Sequence, residues 1–206
     1  MAGERVRYTD VDVSIPGQSG TAPTRSVFGW IQIHKHDDQE SFDWNLNWAS
    51  YRDGFENFYN FWFGLEKVHR LTAAQSYRLR VEIRDKNSYD WFSVEYSYFH
   101  VGPESDGYRL DVSGYNGDAY NALQYAGAWY GGDEGNFLHD GMKFSTWDQD
   151  NDSKVDDCTS HTAGAWWFNS CYMACLCCNT NHEWHSIHSA DTHYLTMSFM
   201  YIKPQS

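Results

Sequence analysis

YRLRVEIRD, residues 77–85, alternates without interruption. Tyr77, Leu79, Val81 and Ile83 fall on one side, and Arg78, Arg80, Glu82 and Arg84 fall on the other. Successive side chains of a strand point to opposite faces, so this pattern predicts a half-buried antiparallel strand with one wet face. Downstream, WFSVEYSYFHV (91–101) and YRLDV (108–112) continue the signal, with NSYD and GPESDG as turns between them. Upstream, FGLEKVHRLT (63–72) places Leu65, Val68 and Leu71 on one helical face, and WNLNWASYRDGF (44–55) reads as another short helix. VFGWIQIHKH (27–36) is a further strand, and HYLTMSFMYIK (193–203) supplies the last. From about 114 to 191 periodicity is lost, while Gly, Asp, Trp, Cys and His accumulate. A stretch of that length without regular structure is usually functional or cross-linked. The expectation is a β-sheet body with a loop-rich pole inserted before its final strand. Residues 1–26 are polar and read as a poorly packed leader.

The 206 residues suit one good-sized domain or two small ones. Aromatic residues make up 18% of the chain, which excludes intrinsic disorder. A formal net charge of -13 argues against nucleic acid, heparin or an anionic membrane as partner and leaves room for divalent cations. The apolar runs are too short to insert across a bilayer. The opening MAGERVRYTD carries charges where a signal peptide needs an apolar segment. It therefore reads as a cytosolic start or as a chain whose leader has been removed.

STWDQDNDSKVDDC (145–158) concentrates carboxylates that repel one another unless a cation sits among them. An EF-hand needs Gly at position 6 and Glu at position 12. Counting from Asp148 these are Ser153 and Thr159, and from Asp150 they are Val155 and His161, so both registers fail. Calcium accepts mixed carboxylates, carbonyls and water, so an irregular calcium loop and a solvated acidic turn both remain open at this point. All five cysteines lie between 158 and 178, which signals a staple or a metal site and leaves one thiol odd. Cys175, Cys177 and Cys178 precede His182, His185 and His188, all residue types that bind zinc. Paired C-x-x-C elements are lacking and adjacent cysteines crowd a tetrahedral centre. The favoured reading is a disulfide from Cys175 to Cys178 or Cys177, with the histidines at the surface and titrating near their ordinary pKa. His182-Glu183-Trp184-His185 misses H-E-x-x-H by one residue, and neither a G-x-S-x-G elbow nor a phosphate-binding loop occurs. A non-enzyme is expected.

YRDGFENFYNFWFGLEKVHRLT (51–72), VGPESDGYRLDVSGYNGDA (101–119), HDGMKFSTWDQDND (139–152) and WWFNSC (166–171) occur in an order that resembles the fibrinogen-related domains, over roughly residues 28–204. That family includes fibrinogen C-terminal globes, ficolins, tachylectins and angiopoietins. The resemblance implies an α+β fold with an antiparallel sheet body, short helices and a loop-rich calcium- and ligand-binding pole. On that reading 1–26 is a divergent leader or the remnant of a first subdomain, and 27–206 is the fibrinogen-like domain. Its body spans about 27–113 with a final strand at 192–204, and its pole about 114–191.

The resemblance further implies structural Ca2+ held by the side chains of Asp150 and Asp152 and the carbonyls of Lys154 and Asp156, with Asp148 outside the coordination shell. It implies a Cys158–Cys171 disulfide, whose closure would stabilise by about 3 kcal/mol on the chain-entropy argument, and a cis Ser170-Cys171 peptide beside a pocket. Ser170, Cys171, Tyr172, Thr162, Trp166 and Cys178 stand at the positions of that ligand pocket. Several departures stand out: the amino-terminal cysteine pair is missing, Thr162 replaces a pocket aromatic, Tyr172 replaces a frequent His, and the segment from Cys171 to Glu183-Trp184 is shortened. The implied function is a secreted recognition domain, an innate-immune lectin-like module binding acetylated glycans on microbial surfaces. The alternative is a domain engaging a protein receptor or peptide with calcium purely structural. Oligomerisation is compatible with either.

Overall fold

The alternation of 77–85 is realised in full in the computed structural model, which describes residues 9–124, 137–180, 182–185 and 192–205. Strand β6 (Tyr77–Asp85) buries every odd-numbered residue and leaves each even one half-exposed. It pairs antiparallel with β7 (Trp91–Val101), which pairs with β8 (Leu110–Gly117). On its other side β6 meets β11 (Thr192–Pro204), the last strand of the chain. β11 in turn pairs with β3 (Trp30–Asp37). The C-terminal strand therefore lies inside the sheet, and the pole is a loop excursion between β8 and β11.

Residues 9–27 are packed more closely than a polar composition suggests. β1 (Thr9–Ser14) and β2 (Thr21–Val27) form a hairpin that extends the sheet through β2–β3 pairing, so its order runs β1-β2-β3-β11-β6-β7-β8. Ile15 and Ala22 join the core. Val11, Val13 and Ile15 alternate with polar residues and are more covered than their neighbours, a short period of two that the polar composition of 1–26 concealed.

Helix α1 (Trp48–Asp53) starts where the Asn47 side chain accepts from the Ser50 amide, and ends at Gly54. The short strands β4 (Phe55–Glu56) and β5 (Phe61–Trp62) then lead into α2 (Leu65–Ala74). α2 buries Leu65, Val68 and Leu71, each worth roughly 1.5–3 kcal/mol of apolar burial. Thr72 Oγ accepts from the Val101 amide at 3.2 Å, tying α2 to the end of β7. Body and pole meet across an aromatic wall. The Phe144 ring lies 5.0 Å from Trp167, 5.9 Å from Trp62 and 5.2 Å from Tyr51. Trp167 Nε1 donates to the Tyr108 carbonyl at 2.8 Å. Among the described residues, regular structure in the pole is slight: helix α3 (Cys158–Thr162), and strands β9 (Ala174–Cys175) and β10 (Glu183–His185), the latter pairing with β11.

Candidate functional site

The acidic loop folds back on itself through its own carboxylates. Asp150 accepts from the Asp152 amide at 3.0 Å. Asp152 accepts from the Lys154 amide at 2.8 Å through one oxygen and from the Cys158 amide at 2.9 Å through the other. These bonds draw the donor atoms of Asp150, Asp152 and Asp157 within 4.8 Å of one another. Asp157 caps α3, accepting from the Thr159 amide at 2.7 Å and the Thr159 hydroxyl at 2.9 Å. Burial pushes the Asp152 carboxyl upward against the pull of two amide donors, and the Asp150 and Asp157 charges push the same way. A cation among the three would offset that repulsion, so the donor set fits a hard, oxygen-seeking ion such as calcium. Asp148 points elsewhere: its carboxylate accepts from the Trp48 amide and the Thr146 hydroxyl, each at 2.8 Å. Asp157 was not among the expected ligands.

Cys158 and Cys171 are disulfide-bonded, with Cα atoms 5.5 Å apart. Asp152 thus holds the amide of the very residue that staples the loop to the Ser170-Cys171 segment, whose peptide is cis. A second disulfide joins Cys175 to Cys178, leaving Cys177 as a buried free thiol. Gly164 makes this layering possible, since a Cβ there would stand 2.2 Å from the Cys177 carbonyl oxygen.

The residues at the expected ligand pocket separate into two groups. Thr162, Trp166 and Cys178 are fully buried, Thr162 bonding to the Cys158 carbonyl, and none of them offers surface to a ligand. Ser170, Cys171 and Tyr172 keep partial exposure, and the Tyr172 ring lies 6.0 Å from Phe168 and 6.1 Å from His185. Trp166 is covered by His139 and Trp167 and bridges to Ser145, and Cys178 is bonded to Cys175 and bridges to Gly164. Exposed surface nearby comes from Trp147, 54% exposed, and Val155 at the tip of the acidic loop.

The histidines also require correction. His182 is buried rather than superficial, and burial, followed by the His36 charge, pushes it down to about 3. His185 is largely covered, and His188 lies outside the described residues. His139, fully buried, links three pole segments: Nδ1 donates to the Trp167 carbonyl at 2.8 Å, and Nε2 accepts from the Met173 and Ala174 amides at 3.0 Å each. Ser198 Oγ lies 2.8 Å from His182 Nε2, and His182 Nδ1 lies 3.4 Å from Asp38, the connectivity of a hydrolytic triad. Ser198 is fully buried, however, and its hydroxyl also contacts His34 Nε2 at 3.1 Å, so no acyl carbon can reach it.

A sheet closed by the C-terminal strand, with a disulfide-stapled acidic pole, defines a fibrinogen-like globe. Residues 24–201 match the family described as fibrinogen beta and gamma chains, C-terminal globular domain, and the chain belongs to that family. It is 36% identical over 162 residues to the fibrinogen gamma chain of Mus musculus, covering 72% of this chain and 36% of that one. It is 35% identical over 154 residues to fibrinogen-like protein 1 of Homo sapiens, covering 72% and 47% respectively. The chain thus spans less than half the length of these relatives. Its fold is similar to the fibrinogen-like globe of human ANGPTL2, with a TM-score of 0.82 at 24% identity over 98% of this chain and 94% of that one. A lamprey fibrin D-dimer, complexed with the peptide Gly-His-Arg-Pro-amide, matches with a TM-score of 0.78 at 28% identity, covering 98% and 70%.

Proposed function

We propose that the chain is an extracellular, non-catalytic recognition domain whose calcium-braced pole binds a peptide or protein partner beside the Cys158–Cys171 disulfide. The observation carrying this reading is the burial of Thr162, Trp166 and Cys178, which leaves a shallow surface of Ser170, Cys171, Tyr172 and neighbouring exposed groups. Such a surface suits an extended chain better than it suits a deep sugar pocket. The peptide-bound lamprey relative supports the choice. Two disulfides favour an oxidising compartment, and no helix among the described residues is long and apolar enough to cross a membrane. Calcium, held by Asp150 and Asp152 with Asp157 beside them and the carbonyls of Lys154 and Asp156 completing the shell, would fix the loop that positions Cys158.

An acetylated glycan is the second reading, favoured by the partly exposed Ser170, Cys171 and Tyr172, which set backbone donors beside an aromatic ring. An acetamide needs one donor for its oxygen and one aromatic face for its methyl, and both are within this short segment. Isothermal titration with short amino-terminally free peptides and with N-acetylglucosamine, in calcium and in EDTA, separates the two. Peptide uptake unaffected by saccharide supports the first, and saccharide uptake that competes with peptide supports the second. Absence of both overturns the site.

A further inference from the structure

On the far side of the shortened cysteine loop, His36, Asp38 and His182 bring three donor atoms within 4.8 Å of one another. His36 Nε2 lies 3.0 Å and His182 Nδ1 3.4 Å from the same oxygen, Asp38 Oδ1. Zinc bonds of about 2.0–2.2 Å at tetrahedral angles separate donor atoms by about 3.3–3.6 Å, so the two nitrogen–oxygen spacings are near those of a coordination shell, although the rings themselves must turn to ligate one ion.

The other nitrogen of each ring fixes which lone pairs face inward. His36 Nδ1 meets the Leu176 carbonyl at 2.8 Å, and a carbonyl only accepts, so Nδ1 carries the hydrogen. In the neutral ring Nε2 is then a bare lone pair aimed at a carboxylate. His182 Nε2 lies 2.8 Å from Ser198 Oγ, which reaches His34 Nε2 at 3.1 Å. If His182 Nε2 donates to Ser198, the hydroxyl passes its own hydrogen to His34, and His182 Nδ1 is bare as well. That nitrogen is buried and has no well-formed hydrogen bond among the described residues. In that arrangement two lone pairs and a carboxylate face one another, and a cation between them relieves the repulsion. A carbonyl and a hydroxyl orienting the outer nitrogens are the supports that metal-bound imidazoles characteristically have.

We propose that His36, Asp38 and His182 form a transition-metal site of zinc type, with its fourth position open to the adjoining cavity. Two imidazoles and one carboxylate suit zinc, and nitrogen donors exclude the calcium of the acidic loop. The cavity, of about 440 Å3, is bordered by Asp38, Glu40 and Asp43 together with Trp44 and Asn179. Its acidic rim draws cations in, and a water or a partner's side chain can complete the shell. The imidazoles are stacked, with centroids 3.7 Å apart and planes 8° from parallel. An ion must lie near the plane of every ring that ligates it, so binding fans the two rings apart. Nothing in this site depends on the ligand surface at the pole.

The test uses the full chain without a histidine tag, stripped with chelator and held in excess calcium so that the acidic loop is satisfied. Cobalt(II) serves as the optical probe and zinc(II) as competitor. The expected result is uptake of one equivalent with the visible absorption of a four-coordinate cobalt centre, bleached by zinc. Asp38→Asn and His182→Gln should each weaken binding by at least about ten-fold, while Asp152→Asn leaves it unchanged. Histidine ring signals in NMR should lose the mutual ring-current shifts of the stack on addition of zinc. Where His182→Gln fails to fold, the half-exposed Asp38→Asn variant decides. No cobalt uptake by the wild type, equal uptake by wild type and Asp38→Asn, or ring signals that titrate only with protons would overturn the site.

Discussion

His139 carries more of the pole's architecture than any charged residue there. Its imidazole joins Trp167 to the amides of Met173 and Ala174, and a protonated ring cannot accept from those amides. Burial lowers its pKa from 6.5 to about 4. Between those values the unfolded chain binds a proton that the folded chain refuses. Stability is therefore full above about pH 6.5, falls as pH drops towards 4, and levels off below. The difference is on the order of 3 kcal/mol. Urea unfolding at pH 7 and pH 4.5 should show this loss in the wild type and a smaller one in His139→Asn; equal losses would remove His139 from the account. At this scale the sequence was partly legible. Asp150 and Asp152 stood out through the resemblance and do converge, whereas Asp157 was not among the ligands it implied. The roles of His139 and His182 were not legible, because a histidine's meaning depends on burial and on partners 16 or more residues away, and no local pattern encodes those.

Among the elements, β6, β7 and β8 were readable because each packs one face on a core and leaves the other more exposed, which writes itself as a period of two; β11 was readable as an apolar run, since Ser198 to Ile202 are buried on both faces. β9 and β10, two and three residues long, leave no such trace, and in the β1–β2 hairpin the short alternation of Val11, Val13 and Ile15 is set among polar residues that outweigh it in composition. The turn between α1 and β4 is more demanding than its length suggests. Gly54 has φ near +94°, and a Cβ there would lie 2.5 Å from the Phe63 carbonyl oxygen. Gly54→Ala should cost roughly 2–4 kcal/mol, combining backbone strain with overpacking. Thermal unfolding gives the readout, and a midpoint shift under about 2 °C would contradict the close approach. Truncating the wholly buried Leu79 to Ala in β6 should cost about 2–5 kcal/mol. The equivalent change at the half-exposed Arg80 breaks only surface ion pairs to Glu82 and Glu95 and should cost about 1 kcal/mol or less.

Across the whole molecule, a sheet closed by its own C-terminal strand carries a pole in which an acidic loop, two disulfides and an aromatic wall are mutually braced. The body was legible from alternation and the family from four motifs in order. The exposure of the residues at the expected pocket was not, because the burial of Trp166 against His139 and Trp167, and of Cys178 against Cys175 and Gly164, depends on contacts distant in sequence or specific to the folded loop. If calcium braces this pole, saturation at a hundred times its dissociation constant adds about 2.7 kcal/mol. Thermal unfolding in calcium should then run above that in EDTA, and Asp152→Asn should abolish the difference between the two conditions. The central claim is that this braced pole is a recognition surface. It is tested most directly by isothermal titration of amino-terminally free peptides into the wild-type chain, first in calcium and then in EDTA. The account predicts saturable binding in calcium that weakens or disappears in EDTA. Peptide affinity that is the same in both, or absent from both, would contradict it.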